Sequence, residues 1–196
     1  MDEQPRTRPS LLVRIRDACN SDAWSEFVAI YSPLVYRYSR RRGLQSTDAA
    51  DVTQEVFRAI ARSIRRFEYD PGRGRFRAWL ITVTRSKLRD FLARREGEAQ
   101  GAGGTAAQGR LEAVASLDDE EAFIEGEYRR CLFDWAAKEI RGEFEDTTWQ
   151  AFWQTNVEGR PTHEAAASLG ISAGAVYIAR SRVLARLKQR ISQVEG

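Results

Sequence analysis

Residues 162–191 read THEAAASLGISAGAVYIARSRVLARLKQRI, and this stretch decides what kind of protein the chain can be. Its spacing predicts a short helix over Thr162–Leu169, a turn at Gly170, which can take a left-handed backbone, and a second, longer helix capped by Ser172. Ala166 is small where two helices must cross closely, and Val176 plugs the second helix into the first. Those offsets match the helix-turn-helix pattern, whose second helix enters the major groove of duplex DNA. At its tip stand Ser172, Ala173, Gly174, Ala175 and Tyr177, followed by Arg180, Ser181 and Arg182. The small residues offer bases few hydrogen bonds, so discrimination falls to Tyr177, the backbone and DNA shape. Arg160, Arg186 and Lys188 join Arg180 and Arg182 as candidate phosphate contacts.

Working outward, the rest of the chain also reads as helix. Its five prolines stand at edges, and apolar residues recur at three and four between them. Leu11, Leu12 and Ile15 begin a first helix, with Ser10 as its cap, and a second carries Trp24, Phe27, Val28, Tyr31, Leu34, Val35 and Tyr38, with Pro33 as a kink position. A third runs from about Asp48 through Val52, Val56, Ile60, Ile64 and Phe67 towards the turn Asp70-Pro71-Gly72. A fourth holds Phe76, Trp79, Leu80, Val83, Leu88 and Phe91. The stretch EGEAQGAGGTAAQG loses this periodicity, which places a flexible linker over 96–116. The expectation is an all-α chain of two small helical domains, 10–95 and 117–196, the second ending in the helix-turn-helix.

Charge divides along the same lines. Residues 1–95 hold 20 Lys/Arg against 11 Asp/Glu, residues 96–146 hold 5 against 14, and residues 147–196 hold 6 against 3. Two basic blocks flanking an acidic middle are the footprint of nucleic-acid binding at both ends, with the middle unsuited to DNA. No apolar run is long enough to span a membrane and the start MDEQPRTRPS is polar, so a cytoplasmic protein without membrane insertion is expected. Cys19 and Cys131 are isolated and expected to be reduced, structural thiols. With a single histidine, His163, and no phosphate-cradling glycine loop, neither an enzyme nor a cofactor or metal is expected.

The third and fourth helices carry different messages. Asp51, Gln54, Glu55 and Arg58 lie among Val52, Val56 and Phe57, a mixed acidic and apolar face that suits a protein partner. The fourth interleaves its stripe with Arg75, Arg77, Arg85, Lys87, Arg89, Arg94 and Arg95, as a single-strand surface would, although its aromatics read first as core. The run Ala49-Ala50-Asp51-Val52-Thr53-Gln54-Glu55-Val56-Phe57, followed by Phe76-Arg77-Ala78-Trp79-Leu80, resembles sigma region 2, and the terminal helix-turn-helix resembles region 4. In that order, with a linker between, they resemble the extracytoplasmic-function (ECF) subfamily of sigma-70-type RNA polymerase sigma factors.

The resemblance implies that Asp51, Gln54, Glu55, Phe57 and Arg58 bind core RNA polymerase. It implies that Arg73, Arg75, Arg77, Trp79, Arg85, Ser86, Lys87 and Arg89 hold the opened promoter strand, and that Ser172 to Arg182 read promoter duplex. An anti-sigma protein is a further expected partner. The rival reading is a helix-turn-helix repressor or activator, whose first domain would instead build a ligand pocket or a symmetric dimer face.

Overall fold

The described residues begin with α1 (Leu11–Arg14), a single turn. Asn20 then accepts a hydrogen bond from the N–H of Ala23 at 3.0 Å and starts α2 (Ser21–Arg41), which runs on through Pro33 as one helix. It ends where Gly43 turns left-handed (φ 89°) and the N–H of Leu44 reaches back to the Ser39 carbonyl. The third and fourth helices are α3 (Ser46–Ser63) and α4 (Phe76–Gly101). After them come α5 (Leu117–Ile140), a 3-10 turn at Arg141–Glu143, α6 (Asp146–Asn156), α7 (Thr162–Leu169) and α8 (Ala173–Glu195).

This computed structural model describes residues 11–17, 19–64, 76–101 and 117–195, and among them there is no strand. The chain is all-α, as its periodicity requires. Ser10, Phe67 and the Asp70-Pro71-Gly72 turn lie outside the described residues. Helix α4 continues to Gly101, so the linker expected over 96–116 is helical for its first six residues, 96–101, and otherwise lies outside the described residues. Glu, Ala and Gln favour helix, and the scattered glycines there did not outweigh them up to Gly101.

Packing divides the chain into one unit spanning Leu11–Cys131 and a second built on Leu132–Gly196. In the first, α2, α3 and α4 close on a core of Phe27, Ile30, Leu34, Val35, Val56, Ile60 and Leu80, each fully buried. Phe27 sits at its centre, with Tyr31, Phe57 and Phe76 ringed about it at centroid distances of 4.8–5.8 Å. Hydroxyls buried in these helices bond back along their own turn, Ser39 to the Val35 carbonyl and Thr84 to that of Leu80. Among the described residues no buried side-chain polar atom lacks a partner.

In the second unit α6, α7 and α8 pack on one another. Ala151, Ala166, Val176 and Ala179 form a small cluster edged by Leu169 and Ile171. Trp149 and Phe152 are core residues, as their aromatic weight suggests. Gly170 is left-handed (φ 65°), with the N–H of Ile171 bonded to the Ala166 carbonyl, which closes α7 and aims the chain into α8. Ser172 caps α8, its hydroxyl accepting from the N–H of Ala175 at 3.1 Å. Pro161 occupies the cap position of α7, and no side chain bonds there.

Candidate polymerase and DNA interfaces

On α3, Asp51, Gln54 and Arg58 are exposed and Glu55 is half-buried. Their three-to-four spacing sets them along one side of the helix, away from buried Val52, Val56 and Ile60. Arg58 bonds to Glu55 at 2.7 Å and to Gln54 at 3.4 Å, which ties the row together. Phe57 lies on the flank of this row, half-buried, its ring 5.6 Å from that of Phe27. The row is polar and of mixed charge on a rigid helix, with an aromatic edge beside it.

On α4 the expected single-strand residues divide between flanks. Arg73 and Arg75 lie outside the described residues. Trp79 is half-buried against Phe76, centroids 5.3 Å apart. Ser86 and Lys87 are half-buried, Lys87 pairs with Asp90 at 3.3 Å, and Arg89 is exposed.

Arg77 and Arg85 meet the first half of α5, which belongs to the same unit. Arg77 pairs with Glu125 at 2.9 Å and lies 4.3 Å over the ring of Tyr128. Arg85 pairs with Glu120. The two arginines and the two glutamates line a cleft of about 290 Å³, together with Ala78, Ile81, Thr82, Glu121 and Ile124.

Helix α2 contributes three more arginines to this seam. Arg42 pairs with Glu120 at 2.5 Å, Arg37 pairs with Glu127 at 2.9 Å and reaches Cys131 Sγ at 3.7 Å, and Arg41 lies 4.2 Å over Phe123. Tyr38 is the hub: its hydroxyl donates to Glu120 at 2.5 Å and accepts from Arg42 and Arg85 at 3.0 and 3.1 Å. Burial first, then the bond to Glu120, pushes the Tyr38 phenol above its usual range. Burial works against the Glu120 carboxylate, but the bonds from Tyr38, Arg42 and Arg85 outweigh it and hold that carboxyl low.

These α2 arginines were missed in sequence, though YRYSRRR at 36–42 is a visible basic cluster. The acidic middle was set aside as unsuited to DNA, and its fit to arginines elsewhere in the chain has no local signature. Cys131 is buried as expected, whereas Cys19 is exposed.

In the second unit the tip of α8 is open. Ser172, Ala173, Gly174, Tyr177, Ser181 and Arg182 are exposed, with Ala175 half-buried. Tyr177 and Ile178 present large apolar groups, 59% and 55% exposed. Arg180 is half-buried; its Nε donates to Asn156 at 2.7 Å and its guanidinium stands 5.8 Å from the Tyr177 ring, so α6 fixes its direction. Arg186, expected on phosphates, is instead held by Glu143 through two bonds of 2.6 and 2.7 Å. That pairing raises the guanidinium's pKa and lowers that of the carboxyl. Lys188 is exposed, and Arg160 bonds to Gln154 at 2.9 Å.

Residues 27–98, from α2 through most of α4, match the family Sigma-70 region 2. The chain is 29% identical to RNA polymerase sigma factor CarQ of Myxococcus xanthus over 182 residues, 93% of this chain and 96% of that protein. It is also 29% identical to RNA polymerase sigma factor CnrH of Cupriavidus metallidurans over 86% of each. ECF RNA polymerase sigma factor SigE of Mycolicibacterium smegmatis is 34% identical over 79 residues, 40% of this chain and 29% of that one. Among solved structures, CnrH in complex with the cytosolic domain of CnrY aligns over 91% of this chain and 93% of that chain at 24% identity, with a TM-score of 0.36. The region 2 match lies within the Leu11–Cys131 unit, and the sigma-factor relatives align over most of both chains at 29% identity, so the chain is similar to sigma-70-type RNA polymerase sigma factors.

Proposed function

We propose that the chain is an ECF-type RNA polymerase sigma factor and that it works through three surfaces. The α3 row of Asp51, Gln54, Glu55 and Arg58, with Phe57 beside it, docks on core RNA polymerase. The α4 surface, from Arg73 to Arg89, opens the promoter and holds one strand. Helices α7 and α8 act as a helix-turn-helix on duplex, with Tyr177, Arg180, Ser181 and Arg182 turned to the groove and Lys188 to phosphate. The functional modules are then 10–95 and 117–196, joined by 96–116.

The observation that carries this reading is the α3 row. It stands within the residues matched to region 2, and its carboxylates exclude nucleic acid while suiting a protein. Polymerase supplies the bond-making chemistry and the chain performs no catalysis. It acts in the cytoplasm, and no described helix is long and apolar enough to cross a membrane. An anti-sigma protein covering these surfaces belongs to the same reading.

The test is binding of the purified protein to core polymerase, followed by run-off transcription on genomic fragments that include its own upstream region. Specific transcripts absent with core alone are expected. A protein that binds duplex yet neither binds core nor directs initiation would be a repressor or activator instead.

A further inference from the structure

We propose that Arg37, Arg41 and Arg42 of α2 extend the track of Arg77 and Arg85 on α4 into one single-strand-binding surface, and that the acidic first half of α5 occupies it in the free protein as a stand-in for the strand. The proposal rests on the strand-holding role assigned above to α4.

Residues 119–131 of α5 place against these five arginines what a single strand would place there. Glu120, Glu125 and Glu127 meet Arg42, Arg77 and Arg37 at 2.5, 2.9 and 2.9 Å, the geometry in which guanidinium also binds phosphate oxygens. Phe123 and Tyr128 lie under Arg41 and Arg77 at 4.2 and 4.3 Å, where unpaired bases would stack. Strand and α5 therefore compete for the same guanidiniums.

The seat is built to be releasable. Whereas α2, α3 and α4 bring their backbones close together, α5 reaches them largely through long side chains. The Arg37 and Arg85 side chains remain 37% and 43% exposed, so salt and water weaken their pairs. The cleft among Arg77, Arg85, Glu120 and Glu125 leaves the seam incompletely filled. Tyr128, buried and stacked on Tyr31 at 5.6 Å, anchors the far end. The masking residues come from the segment whose excess of Asp and Glu sets it apart from the basic blocks.

The experiment uses the full chain and a fluorescent dT20 oligonucleotide at low salt. Replacing Glu120, Glu125 and Glu127 together by Gln removes the carboxylates at little change in volume. If the free protein is open about one time in ten, this variant binds the oligonucleotide about tenfold more tightly. Adding Arg77→Ala and Arg85→Ala must abolish the gain, and Arg41→Ala with Arg42→Ala must reduce it. The pair Glu125→Gln, Glu127→Gln leaves the Tyr38 hub intact and should give a smaller gain of the same sign, which keeps the test open if the triple variant folds poorly. Amide exchange across residues 119–131 should rise when dT20 binds the parent protein.

Unchanged or weaker binding by both folded glutamine variants would sink the masking. In holoenzyme, Arg77→Ala with Arg85→Ala separates the two ideas. If promoter opening is impaired while the glutamine variants gain nothing, the strand-holding role stands and the mask falls. If promoter opening is untouched, the strand-holding role falls first, and the masking proposal with it.

Discussion

Tyr38 and Glu120 are the residues on which the seating of α5 turns. The Tyr38 ring is 1% exposed, and its hydroxyl serves one carboxylate and two guanidiniums. Tyr38→Phe keeps the ring in the core but leaves Glu120 with two partners instead of three, and a loss of about 1–2 kcal/mol in urea unfolding is expected. The charge on Glu120 gives the seat a pH dependence of definite sign. Its carboxyl is held low in the fold by Tyr38, Arg42 and Arg85 against the opposing effect of burial. Its contribution is therefore complete above the unfolded value of about 4.3 and is lost as the pH falls through the lower folded value. The melting temperature should fall between about pH 5 and pH 3, and Glu120→Gln should reduce that fall measurably. An identical pH profile in the variant would show that other carboxylates carry the acid sensitivity.

At the scale of elements, the turn between α7 and α8 depends on one backbone angle. Gly170 sits at φ 65° with open space where a Cβ would go, so the cost of Gly170→Ala is conformational and not steric. A destabilisation of about 1 kcal/mol by urea melt is expected, with duplex binding weakened only to the extent that α8 is misaimed. Helix α3 makes the contrasting case, since its outward row contributes little to the core. Replacing Asp51 and Glu55 by Lys should leave the circular-dichroism melt within a degree or so and abolish binding to core polymerase. Retained affinity in titration would remove the polymerase assignment from this face.

For the molecule as a whole, the arginines serve two uses that compete. Arg77 and Arg85 stand at the front of a basic helix suited to a strand, yet in the free protein both already hold carboxylates of α5. Arg186 is likewise taken by Glu143 within the second unit, whereas Arg182 and Lys188 of α8 are exposed. Net charge along the chain therefore overstates the free basic surface. Salt should act on the free protein in two opposing ways, loosening the α5 pairs while weakening any strand that replaces them.

Short-range pattern made much of this protein legible before folding. The apolar stripes of α2 and α3, the left-handed Gly170, the Ser172 cap and the outward row on α3 each depend on residues within a few positions of one another, and each appears in the structure, except that Val28 of the α2 stripe is exposed and Phe67 of the α3 stripe lies outside the described residues. Where propensity was weakly divided the loss of periodicity did not end the helix, as at 96–101, the first part of the expected linker, which continues α4. The partnership of Tyr38 with Glu120 joins residues 82 positions apart, and that of Arg186 with Glu143 joins positions 43 apart. Composition showed that an acidic middle lay between basic blocks, but a carboxylate and a guanidinium select one another by distance, and only the tertiary fold sets which of many such pairs meet.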